Sequence, residues 1–256
     1  MKNFSHIHTI QDYFNEFFRI RSNKTNEEVS KNLDEYTDCR FIAKIYSQNE
    51  NNTWDYIDSI VIPTDYYPLS DTSFKVFHCG NCQITTNPDI ISCFDSVKHV
   101  PGHCYSMADE LHNRLKDKGF ESAIWCGWLF IGNRRPVHHC WVTVGADNVL
   151  LDIQDNADHI VSLLQGHSFK NDEELRRFLA DTLAAELKQG IKNSVRCSPL
   201  GKPSSHTFYV GSRVSNGEAA KKIYQALVQK YPSHPNNRNL SNNGMTQMQK
   251  MIFDRM

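Results

Sequence analysis

The chain has 256 residues, with 28 basic and 29 acidic side chains and a formal net charge of −1, so overall charge points to neither a nucleic acid nor an anionic membrane as partner. It contains no run of about 18 apolar residues, which argues against a membrane-spanning helix. The opening "MKNFSHIHTIQDYFNEFF" lacks the basic start, apolar middle and small-residue cleavage site of a secretory signal, and the expected location is the cytoplasm, or outside it by a route without a classical signal peptide. Eight cysteines are too few for a disulfide scaffold and default to thiols, metal ligands or nucleophiles in a reducing compartment.

In chain order, "TIQDYFNEFFRI" places Ile10, Phe14, Phe17 and Phe18 on one helical face, and "TNEEVSKNLDEY" predicts a second short helix capped by Thr25 or Asn26. The period then changes: "RFIAKIYSQ" and "TWDYIDSIVIP" are rich in β-branched and aromatic residues, are separated by the polar "NENN", and read as a hairpin. A loop follows between Pro63 and Pro68. From Ser106 to Lys118, Met107, Leu111 and Leu115 recur four apart, predicting a helix stopped by Gly119. "SAIWCGWLFIG", "PVHHCWVTVG" and "NVLLDI" read as three successive strands. "NDEELRRFLADTLAAELKQG" predicts a long helix, "SHTFYVGSRV" a strand and "GEAAKKIYQALVQKY" a closing helix before Pro232. The Asn-rich tail "NNRNLSNNGMTQMQKMIFDRM" reads as a frayed end. The expected class is α+β, helices packed at the ends of an antiparallel sheet.

The chemistry concentrates around "VPGHCYSMADEL". A thiol becomes a useful nucleophile when a helix N-terminus and a neighbouring imidazolium stabilise its thiolate. Pro101 and Gly102 predict a turn that delivers Cys104 to a helix start, where its own amide is free to donate to an oxyanion. In "HHCWVTV", His139 alternates onto one strand face with Trp141 and Thr143, while His138, Cys140 and Val142 face the other way. Asp152, at the end of the next antiparallel strand, falls beside His139.

The stretch "GHCYSMADELHNRLKDKGFESAIWCGW", followed by "HHCWVTV" and "VLLDI", resembles the core of the transglutaminase-like branch of the papain-like cysteine enzymes, over about Gly102 to Asp155. In that superfamily a glycine-flanked Cys opens a helix, a His-x-Trp strand follows, and an Asp ends the next strand. The resemblance implies an α+β, papain-like (transglutaminase-core) fold in a single domain of 1–256, its catalytic core at about 75–160 with elaborations at 1–74 and 161–256. It implies Cys104 as nucleophile, His139 as general base and acid, and Asp152 as the orienting carboxylate. It departs from the family at Cys140, where a small residue is common. His138 remains an alternative base and Asp155 an alternative carboxylate, and no spacing picks the second oxyanion donor among Trp54, Asn81 and Gln83.

What this implies is a cysteine hydrolase, protease or glutamine deamidase, that forms a thioester with a protein or peptide substrate and uses no cofactor. A transglutaminase with an amine acceptor is the near alternative; a compact chain with this triad would also suit a secreted bacterial effector. The alternative from another class rests on "HCGNCQ": Cys79 and Cys82 have the gap of a zinc knuckle, with Cys93 and His99 or His103 to complete four ligands. On that reading the chain is a non-catalytic, zinc-stabilised binding module. His103, next to Cys104, sits at the turn and is expected to point away from the thiol. The sequence carries no sign of oligomeric state.

Overall fold

The computed structural model describes residues 2–3, 40–48, 54–63, 74–131, 137–153, 157–190, 200–203, 207–230 and 247–256. The two helices expected at 9–20 and 25–36, and the loop expected after Pro63, lie outside the described residues. In chain order the elements are β1 (Lys2–Asn3), β2 (Arg40–Gln48), β3 (Trp54–Pro63), β4 (Lys75–Phe77), α1 (Pro88–Ser96), α2 (Cys104–Asp117), β5 (Ser122–Ile131), β6 (Val137–Val144), β7 (Val149–Leu151), α3 (Ala157–Leu164), β8 (Ser168–Phe169), α4 (Asp172–Lys188), β9 (Thr207–Val214), α5 (Gly217–Lys230) and α6 (Gln247–Phe253). The expected hairpin is present, β2 and β3 pairing antiparallel from Arg40↔Pro63 to Gln48↔Trp54. It forms a two-stranded sheet of its own.

The principal sheet has five antiparallel strands in the order β4-β9-β5-β6-β7 and curls into a half-barrel. Two glycines allow close approach where it curls. Gly127 of β5 lies opposite His139 of β6 and Gly211 of β9; a Cβ on Gly127 would stand 2.5 Å from Gly211 Cα, and one on Gly211 2.6 Å from Trp141 Cη2. Strand alternation separates two cores. On the His139 face, Phe77, Trp125, Leu129, Trp141 and Tyr209 bury an aromatic cluster, with Phe77 edge-on to Trp125 at 4.8 Å. On the other face, Ile124, Cys126, Cys140, Val142 and Leu151 meet Met107, Ala108, Leu111 and Leu115 of α2, so the four-residue period of the helix covers the two-residue period of the strands.

Both ends of α2 are written locally. Pro101 and Gly102 are the central residues of a tight turn in which His103 N–H donates to the Val100 carbonyl at 3.0 Å. Gly102 has φ 78, the conformation that a type II turn demands at its third residue and that glycine supplies without strain. At the far end, Gly119 N–H donates to Lys116 and Phe120 N–H to Leu115, each at 2.9 Å, the paired bonds of a Schellman stop, with Gly119 at φ 82. Helix α5 is docked onto α2 by Asp109, whose carboxylate accepts from Gly217 N–H at 2.6 Å.

Helix α1 was not anticipated, although Asn87 accepting from the amides of Asp89 and Ile90, with Pro88 in the first turn, is an N-terminal signal written in the sequence. The tail also differs from the expected frayed end. Residues 247–253 form α6, whose Ile252 is fully buried with Leu164, Phe169, Leu175, Leu179 and Leu183, while Arg255 pairs with Asp181 of α4. Met248, Met251 and Ile252 make a short helical stripe, and the Asn-rich context hid it. No described helix is long and apolar enough to cross a membrane.

Candidate active site

Cys104 is the first residue of α2, delivered there by the Pro101–Gly102 turn. The N-cap position is His103, which makes no side-chain capping bond, and the first turn carries no acidic residue. A helix start usually fills its free N–H groups with a Ser, Thr, Asp or Asn side chain. Here the N-cap side chain fills none of them, and at Cys104 the helix dipole favours negative charge.

His139 is buried on β6, and its Nε2–H donates to both carboxylate oxygens of Asp152, at 2.7 and 2.9 Å. Asp152 follows Leu151, the last residue of β7. β7 pairs β6 only from Val142 to Val144, so among the described residues the first half of β6 has no strand partner on that side. With Nε2 committed to Asp152, Nδ1 is the ring nitrogen left to face another group, and Cys104 is near enough to act on the imidazole. Burial pulls the His139 pKa down, but the negative charges of Asp152 and Cys104, with their hydrogen bonds, outweigh it and raise it to about 10. The imidazolium is thus the favoured form in the folded protein.

That shift has a sign that can be checked. A folded-state pKa of about 10 against an ordinary 6.5 contributes stability that is complete below pH 6.5 and lost as pH rises through 10. The excess stability of the wild type over His139→Gln, measured by chemical denaturation, is expected to be largest below pH 6.5 and to have shrunk by pH 10. A constant or growing difference would rule the charged pair out.

The remaining predicted residues fall into place as follows. His138 faces the opposite core: its Nδ1 shares a 2.9 Å hydrogen bond with Tyr105 OH, its Nε2 lies 3.4 Å from Cys126 Sγ, and it stacks on Tyr224 at 4.8 Å. Both ring nitrogens are engaged away from Asp152. Asp155 lies outside the described residues. His103 is exposed and its ring stacks on Phe253 of α6 at 5.9 Å.

The zinc set does not converge. Cys93 donates to the Arg114 carbonyl at 3.6 Å inside the α2 core, Cys82 packs in the aromatic cluster, and among the described residues no group of three or more His, Cys, Asp or Glu side chains could hold a metal ion. Of the upstream oxyanion candidates, Asn81 is spent on its own turn, accepting from His78 N–H at 2.8 Å and donating to the Val76 carbonyl at 2.7 Å. The Gln83 backbone N–H donates to the Asn148 carbonyl, in the turn that joins β6 and β7. The Trp54 side chain lies outside the described residues.

Burial sets the other thiols apart. It pushes Cys82 up to about 12 and raises Cys79; burial raises Cys126 and Cys140 further, with neighbouring thiols adding to it. These thiols stay protonated at neutral pH and react slowly. Behind Cys104, bounded by Cys140, Leu151 and Asp152, is a void of about 10 Å³. It is too small to hold more than about a single water.

One residue escaped the sequence reading. Tyr209, buried on β9, donates its phenolic hydrogen to Asp152 Oδ2 at 2.8 Å. It lies 57 positions from its partner, in a strand, TFYVGSRV, that mixes apolar and polar residues and gives no local signal for it. No family model, curated protein or solved structure matches this chain, so what can be said of its chemistry rests on the arrangement of Cys104, His139 and Asp152.

Proposed function

We propose that this protein is a cysteine-dependent hydrolase of the transglutaminase-like, papain-like kind, acting on an amide of a protein or peptide. The observation that carries the reading is the buried His139–Asp152 pair at 2.7 Å, with Cys104 near enough to raise the His139 pKa, at a helix start whose N-cap residue His103 makes no side-chain capping bond. The Cys104 thiolate attacks the amide carbon and the carbonyl π pair moves onto oxygen, where the Cys104 N–H receives it. As the tetrahedral centre collapses, the C–N bond breaks and the leaving nitrogen takes the proton from His139 Nδ1, leaving a thioester. Water then gives a proton to His139 and attacks the thioester carbon; the C–S bond breaks, releasing the acid and restoring the thiolate–imidazolium pair. Asp152 holds the imidazole in the tautomer that keeps Nδ1 toward the thiol throughout.

A main-chain amide makes this a protease and a glutamine side chain a deamidase; an amine in place of water makes a transglutaminase. The experiment offers a peptide-amide library rich in glutamine and follows two products, new α-amino groups and free ammonia. One of them is expected to accumulate with a thioester adduct on Cys104 in rapidly quenched samples, and both to vanish in Cys104→Ala. A primary amine that is incorporated in preference to water identifies the transglutaminase. Neither product and no adduct, from folded protein, overturns the reading.

A further inference from the structure

Asp152 sits one residue beyond β7, where the ladder no longer fixes its side chain. His139 Nε2 meets its two oxygens almost equally, at 2.7 and 2.9 Å, and such a shared bond leaves the carboxylate free to turn about the bond axis. A second donor at one oxygen removes that freedom. Tyr209 supplies it at Oδ2, 2.8 Å away, from a ring that is itself held: 2 % exposed, tilted against Trp141 at 5.0 Å and registered opposite Phe77 on β4.

We infer that Tyr209 is a positioning residue of the site, acting through Asp152 to keep the His139 imidazole aligned on Cys104. The inference rests on Cys104 being the nucleophile. The hydrogen bonds run from the Tyr209 hydroxyl to Asp152 and from Asp152 to His139, the imidazole on which Cys104 acts, so the side chain that sets the geometry comes from a strand remote from the motif. A buried phenol needs some acceptor for structural reasons alone. What separates the two roles is whether loss of the hydroxyl is felt at the sulfur, and whether it is felt only while Asp152 is present.

The test is alkylation of Cys104 by iodoacetamide, followed residue by residue by mass spectrometry at about pH 6 and about pH 9.5, the second being a pH at which an accessible thiol ionises without help. Tyr209→Phe keeps the ring and removes the donor. It is expected to slow Cys104 about tenfold at the lower pH, the scale of one hydrogen bond to a charged group, and to change the rate less than about twofold at the higher pH. In the Asp152→Ala background the same substitution is expected to have no further effect, because its route to the sulfur is gone. An unchanged rate at the lower pH, an equal loss at both pH values, or an equal loss with and without Asp152 each overturns the inference. Should Tyr209→Phe fail to fold, 4-aminophenylalanine at position 209 keeps a donor and is expected to keep the wild-type rate; a slow thiol there overturns the donor role. If wild-type Cys104 is no faster than the buried thiols at the lower pH, the nucleophile reading itself fails; a fast wild type with an equally fast Tyr209→Phe sinks only this inference.

Discussion

His139→Ala is expected to slow alkylation of Cys104 near neutral pH by about two orders of magnitude, the usual worth of a well-placed acid–base partner, while Cys79, Cys82, Cys126 and Cys140 keep their slow rates. The imidazolium is the cation that interacts with Cys104, and its removal leaves the helix start as the remaining described device that favours negative charge at sulfur. Asp152→Ala is expected to give a smaller loss, since the imidazole stays but is neither charged as readily nor held in one tautomer. His138→Ala is the informative contrast. Its ring lies in the other core, between Tyr105, Cys126 and Tyr224, so it is expected to lower the melting temperature with much less effect on Cys104. Mass spectrometry of each thiol over time reads all three. Equal losses from His138→Ala and His139→Ala would mean that the strand faces have been misassigned.

The largest effect on stability is expected at Gly127. A methyl group there would stand 2.5 Å from Gly211 Cα and closer still to the Val210 carbonyl oxygen, and neither backbone can retreat without breaking the β5–β9 ladder that pairs Ile124↔Val214 through Ile131↔Thr207. Gly127→Ala is expected to cost more than about 4 kcal/mol, the range reserved for overpacking at a site that cannot relax. Since Gly127 is the ladder partner of His139, whatever protein remains folded is expected to have lost the fast thiol as well. Gly119→Ala separates crowding from backbone strain: Gly119 has φ +82 but nothing within 4 Å of an added Cβ, so only the left-handed conformation is penalised, by about 1 kcal/mol. Denaturant midpoints measure both. A Gly127→Ala protein as stable as Gly119→Ala would show that the strands are farther apart than described.

Where side chains recur with a period and turns carry their own chemistry, the fold was legible. The α2 stripe, the Gly119 stop, the three strands from Ser122 to Leu151 and the β2–β3 hairpin all follow from local patterns. Alternation along β6 also shows that His138 and His139 lie on opposite faces, while the preference for His139 rests on the tryptophan two residues on, as in the family it resembles, and on sharing the Trp141 face. The lateral order of the strands was not legible. Nothing in "SHTFYVGSRV" says that it lies between β4 and β5, because an antiparallel strand buried on both faces suits several neighbours equally. Tyr209 was missed for that reason, its role existing only once the strand order is known. Helix α6 was missed because its three apolar residues are too few to stand out from a polar tail, and their partners, such as Leu179 and Leu183, lie far upstream.

The insertion of β9 between β4 and β5 also bears on when the protein becomes competent during its own synthesis. Cys104, His139 and Asp152 are all made before Thr207, yet β5 has no partner on its β4 side until β9 arrives, and Asp152 has no phenol to lean on. A sheet completed by its latest strand closes long loops and orders late. The five-stranded sheet is therefore complete only after residues 207–214 have been made, so an incomplete chain carries Cys104, His139 and Asp152 without the full framework that joins them.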